Sequence, residues 1–184
     1  MLRFVAPLWV GLLVTASGLI GQPAGVWLDV PFVRQEKNGC GAASVAMVMR
    51  YWQHQQGKQL AADPDDIQHA LYSRVAQGIY ASDMKRYFDQ RGYRTFAFAG
   101  AWADLKEHLD KGRPLIVALK PPRSRLHYVV VAGLDWQQDV IFKNDPAERK
   151  LLKQGRSDFE KEWKAAGNWT LLAIPQQEDH GLLR

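Results

Sequence analysis

Cys40 is the one cysteine among 184 residues, and it stands in the run QEKNGCGAAS at 35–44, directly ahead of a helical pattern. A thiol at a helix start meets unpaired backbone N–H groups and the positive end of the helix dipole, both of which favour thiolate. A cysteine nucleophile also needs an acid/base and donors for the oxyanion formed on attack. His127, just before the apolar run YVVVAG, is the best-placed imidazole for the first need. A ring mounted at the start of a rigid strand is held in place, and its ordinary pKa near 6.5 suits proton transfer. Asp145, in KNDP at 143–146, is a candidate acceptor for the other ring nitrogen, with the amide of Asn144 as its competitor. Gln35 can present a side-chain N–H to the oxyanion beside the backbone N–H of Cys40.

Rival chemistries find less support. His54, His69 and His108 fall in predicted helices and are expected on the surface, and His180 lies in the C-terminal tail. One cysteine and scattered histidines give no metal-ligand spacing, so no metal or other cofactor is expected. Ser44 lacks the G-x-S-x-G setting of a serine nucleophile. A net charge of +5 without a Lys/Arg stripe or phosphate loop gives no reason to expect nucleic acid.

The elements that must hold these residues can be read from periodicity and turn residues. Residues 26–33 (VWLDVPFV) form a short strand or extended lead-in, with Pro31 keeping it at an edge. A helix is expected over 40–55, stopped by Gly57. Asp63-Pro64-Asp65-Asp66 opens a second helix with Ile67, Leu71 and Val75 as its inner stripe. A third, capped by Ser82, carries Met84, Tyr87 and Phe88 inward to Gly92; a fourth spans about 102–111, with Leu105 and Leu109 inward. Strands are expected at 93–98, 114–119, 127–133, 140–142 and 169–174, with a short helix near 157–166. Helices first and an antiparallel sheet later make an α+β domain.

Hydrophobic residues at 47% and charged residues at 23% are ordinary for one folded domain of this length. Residues 1–21 (MLRFVAPLWVGLLVTASGLIG) combine one Arg with a charge-free apolar run and small residues, the pattern of a signal peptide or an N-terminal membrane anchor. The expected location is therefore the periplasm or cell envelope of a bacterium, with membrane association through that segment if it is retained. The domain should occupy 26–175, followed by a polar tail at 176–184.

The run DVPFVRQEKNGCGAASVAMVMRYW resembles the active-site helix of the C39-type, papain-like cysteine peptidases, related to the peptidase domains of bacteriocin-exporting ABC transporters. LKEHLDKGRPLIVAL, HYVVVAGLD and KNDPA follow in that family's order, so the resemblance covers about residues 28–175. It implies a papain-like fold, with an N-terminal helical half whose catalytic helix packs on a C-terminal antiparallel sheet. Carried over by position, Cys40 would be nucleophile, His127 general acid/base, Asp145 its orienting acid and Gln35 the oxyanion donor. A peptide or protein substrate follows. The chain carries no transporter membrane domain or ATPase, so it looks more like the free-standing envelope proteins of this family, and the double-glycine leader does not transfer. Two alternatives keep the same fold: a catalytically idle peptide-binding module, and a thiol acyl transferase that passes the acyl group to an amine. Arg123 and Arg125, just ahead of His127, point to a preference for acidic groups.

Overall fold

The computed structural model describes residues 24–176; the N-terminal apolar segment and the tail beyond Gln176 lie outside the described residues. The elements run β1 (Gly25–Trp27), α1 (Cys40–Gln55), α2 (Pro64–Leu71), α3 (Ala81–Asp89), β2 (Tyr93–Ala99), α4 (Trp102–Asp110), β3 (Leu115–Leu119), β4 (His127–Asp135), β5 (Val140–Asn144), β6 (Leu152–Gly155), α5 (Arg156–Ala165) and β7 (Trp169–Pro175).

The sheet is antiparallel throughout, in the order β2-β7-β3-β4-β5-β6, and β1 pairs with the far end of β4. Every residue of β3 and nearly every residue of β4 is buried, which explains their continuous apolar runs: both faces of these central strands are covered. One face carries α1, whose Ala43, Met47 and Val48 pack against Val130, Ala132 and Ile116. The other carries α4 and α5, whose Leu105, Leu109, Phe159 and Trp163 pack against Val117, Val129 and Val131. This is the α+β, papain-like arrangement expected, except that β1 and β2 join the sheet from the helical half.

Helix α1 occupies the residues its apolar spacing predicts, and Gly57 at φ +65° follows it. Asp63 caps α2 through the Asp65 N–H at 2.8 Å. Val75 departs from expectation. It lies beyond α2 on a turn closed by Ser73 and Gly78, and it is 89% exposed. That turn is held by Ser73 N–H to Gly78 O at 2.8 Å and by Ser73 Oγ accepting from Ala76 N–H at 3.2 Å. His108 also departs: it is half-buried against Phe98, with Nδ1 unpaired, and burial lowers its pKa. Strand β6 (LKQG) has no apolar alternation to betray it, because it is a half-exposed edge strand.

Candidate active site

Two ends of regular structure meet at the site: the first residue of α1 and the first residue of β4. Asn38 at φ +58° turns the chain, the Gly39 N–H bonds Glu36 O at 2.9 Å, and α1 then begins on Cys40. Both chain neighbours of Cys40 sit where a side chain would be tight. A Cβ on Gly39 would sit 3.1 Å from Glu36 O, and one on Gly41 would sit 3.1 Å from Ile79 Cβ. Glycine on both sides lets the 36–39 turn and the 73–80 segment close in around the thiol.

His127 enters β4 opposite Leu119, at the neck of the β3–β4 hairpin. Its Nε2 lies 2.7 Å from Asp145 Oδ1, and Asp145 follows directly on β5. The nitrogen left to face the Cys40 thiol is Nδ1. Asp145 is itself held: Oδ1 accepts the Ala147 N–H at 3.1 Å, and Lys143 Nζ stands 3.6 Å from Oδ2 with both side chains nearly buried. Asn144 points elsewhere, donating to Val30 O at 3.1 Å and accepting from Leu151 N–H at 2.9 Å. Of the two neighbours proposed for the orienting position, Asp145 therefore touches the imidazole, while Asn144 ties the lead-in segment to β5.

Gln35 is tied to this corner by its main chain, whose N–H donates to Pro146 O at 3.0 Å. Its buried Oε1 has no partner, and its Nε2 donates to no described residue. Such an amide has hydrogen-bonding capacity to spare for an incoming group.

The charges reinforce one another. For Cys40 the largest influence is burial, which opposes the thiolate. The hydrogen bond from His127, the Tyr128 backbone, the imidazolium charge and the Gly41 N–H together outweigh it and lower the thiol pKa. For His127 burial again opposes the charged form, yet Asp145 and Cys40 raise it from 6.5 to about 9. Burial likewise disfavours the Asp145 carboxylate, but His127 and Lys143 carry its pKa below the ordinary value. The shifts on thiol, imidazole and carboxyl all run toward a thiolate–imidazolium pair braced by a carboxylate.

Cys40, His127, Asp145 and Gln35 all line one groove of about 1160 Å³. Its rims are the 75–81 segment and the hairpin loop at 120–126. A larger groove of about 1590 Å³ along β2 and β7 holds none of the four, so size does not locate the chemistry. Of the two loop arginines, Arg125 lines the active groove; Arg123, at φ +63°, lines a separate hollow with Lys161. His54 and His69 are exposed and outside the site, and His180 lies outside the described residues. Among the described residues no cluster of His, Cys, Asp or Glu could hold a metal ion. Lys143 and the Val75–Tyr80 rim were not foreseen, since nothing local in the sequence marks either as part of a site.

Comparison with known proteins follows this geometry. The peptidase domain of Streptococcus ComA, described as a bifunctional ABC transporter involved in a quorum-sensing pathway, superposes with a TM-score of 0.62 at 20% identity. The match covers 79% of this chain and 98% of that one. A Bacillus anthracis protein described as a C39-like peptidase gives 0.61 at 17% identity, covering 84% and 99%. A structure from work on the mite allergens Blo t 1 and Der p 1 gives 0.58 at 9% identity, covering 86% and 73%. No curated protein matches the sequence. The family model described as Peptidase_C39 like family matches residues 27–171, most of the described domain, and the chain belongs to that family.

Proposed function

We propose that this protein is a cysteine peptidase that hydrolyses a peptide or amide bond through Cys40, His127 and Asp145. The observation that carries the reading is the relay itself: Asp145 on His127 Nε2 at 2.7 Å, with the thiol on the opposite side of the ring. The Cys40 thiolate adds to the scissile carbonyl carbon. The charge that moves to oxygen is met by Gln35 Nε2 and the Cys40 backbone N–H. As the C–N bond breaks, His127 delivers its Nδ1 proton to the leaving amine, and a thioester remains. His127 then takes a proton from water, whose oxygen attacks the thioester. The C–S bond breaks, and thiolate and imidazolium are restored. Asp145 keeps the ring oriented and its positive charge compensated throughout.

The test pairs labelling with turnover. Iodoacetamide should alkylate Cys40 rapidly and stoichiometrically near pH 6, where an ordinary thiol is almost fully protonated. A peptide-library substrate found with the parent should be untouched by Cys40→Ala. A thiol that reacts only above about pH 8, or full turnover by Cys40→Ala, would overturn the assignment. Product analysis in the presence of an added amine separates hydrolysis from acyl transfer. A peptide that binds without turnover would mark an idle binding module. The acidic preference is carried by Arg125 alone, so Arg125→Ala should lower kcat/KM on acidic peptides and Arg123→Ala should not.

A further inference from the structure

Far from the groove, the sheet presents an aromatic face that no helix covers. Trp27, Gly133, Phe142 and Lys153 are partners across β1, β4, β5 and β6, so their side chains lie in one row on one face. A register shift between Val131 and Gly133 puts this row on the side that carries α1. Helix α1 packs chiefly on β4, β3 and β7, away from the β1, β5 and β6 end. Gly133 has no side chain because none fits: a Cβ there would lie 2.7 Å from Trp27 Cβ. The base of the Trp27 side chain therefore lies against the glycine, and its ring meets Phe142 edge to face, with centroids 6.2 Å apart. Trp27 is nevertheless 63% exposed. No acidic residue stands in the row, and its outer end is Lys153.

The sequence just upstream says what could cover this face. Residues 4–20 are free of charge and strongly apolar. The seven residues 21–27 can span at most about 25 Å. Any bilayer that held the run would lie within that reach of Trp27. Tryptophan ahead of phenylalanine, rimmed by lysine, is the side-chain chemistry of a membrane–water interface. A second protein copy fits less well. Two aromatic side chains offer at most about 500 Å², against about 800 Å² per partner in a stable interface. A tethered lipid contact needs far less area, because the tether supplies the effective concentration.

We propose that the Trp27–Phe142 face is a lipid-contact surface, which seats the domain on a phospholipid bilayer directly beyond the apolar run at 4–20. The seat also sets the height of the groove. His127 is six residues along β4 from Gly133, about 20 Å at strand rise, so the thiol would stand about that far along the sheet from the lipid contact.

The experiment uses the full chain in a Cys40→Ser background, in phosphatidylcholine vesicles containing phosphatidylglycerol. An environment-sensitive fluorophore is placed by Trp27→Cys or Phe142→Cys, and as control by Phe96→Cys on the exposed edge strand β2, where Phe96 is 47% exposed. Labels at 27 and 142 should shift to the blue on vesicle addition and lose at least about half their emission to a quencher in the acyl region; the label at 96 should do neither. Equal quenching at 142 and 96 would overturn the proposal. So would a blue shift at 142 without vesicles, which would mean that a second copy or the apolar run covers the face. If Phe142→Cys melts early, the label at the more exposed position 27 decides by the same criteria. None of these readouts depends on peptidase activity.

Discussion

The two faces of the sheet are built on different terms. Behind the sheet, α4 and α5 cover a cluster made of leucine, isoleucine, valine, phenylalanine and tryptophan alone. In front, the α1 core ends in a corner where thiol, imidazole, carboxylate, ammonium and amide are packed within a few residues of buried backbone. Burial stabilises the first arrangement outright. It opposes every charge in the second, and there the charges persist only because each answers another. The rear cluster therefore supplies stability and the front corner draws on it, so damage to each should appear in different measurements.

The sharpest break between the two faces is Cys40→Ala. Turnover should fall by about 10⁴-fold or more, while the melting temperature stays near that of the parent; a large loss of stability would mean the thiol is a packing residue. Gln35→Ala should lower kcat by about 10²- to 10³-fold with little change in KM, the mark of a donor used only when charge develops on oxygen. Leu109→Ala, on the rear face, should behave in the opposite way. Losing a fully buried leucine costs about 2–5 kcal/mol, read in urea melts, whereas kcat measured well below the transition should hold. A matching fall in kcat would show that the faces are not separable. Of the site variants, Asp145→Asn should have the smallest effect on rate, about 10²-fold, with a clear signature in pH. With Asp145 present, His127 keeps its proton up to about pH 9, so the parent profile should descend near there, and Asp145→Asn should move that limb downward. The same shift bears on stability. Because the folded value lies above the ordinary 6.5, the contribution of His127 is complete below pH 6.5 and fades as pH rises to about 9. Asp145 works the other way, contributing above its ordinary 3.8 and losing that contribution as pH falls below it.

The elements legible in the sequence were those whose signals are local. Helix α1, the Asp63-Pro64 start of α2 and the runs that became β3 and β4 each show period, cap or composition within a dozen residues. Cys40 and His127 could be singled out because each sits at the first position of such an element. Other choices depended on contacts between distant segments. Asn144 and Asp145 are neighbours of similar size, and only the Val30 carbonyl on one side and His127 on the other separate their tasks. Val75 continues the helical period of α2, but the turn pairing Ser73 with Gly78 takes it to the groove rim. His108 reads as a surface residue until Phe98 folds over it.

The bond from the Gln35 N–H to Pro146 O joins two segments more than a hundred residues apart. It fastens the residue that would meet the oxyanion to the turn that presents the carboxylate behind the imidazole. Neither can drift without pulling on the other, so the site comes apart as a unit. Gentle heating, or a single protease nick between 146 and 151, would then abolish the proposed turnover all at once while the strands behind it remain paired. Such a molecule would be switched off by one small opening of its surface, long before it is unfolded.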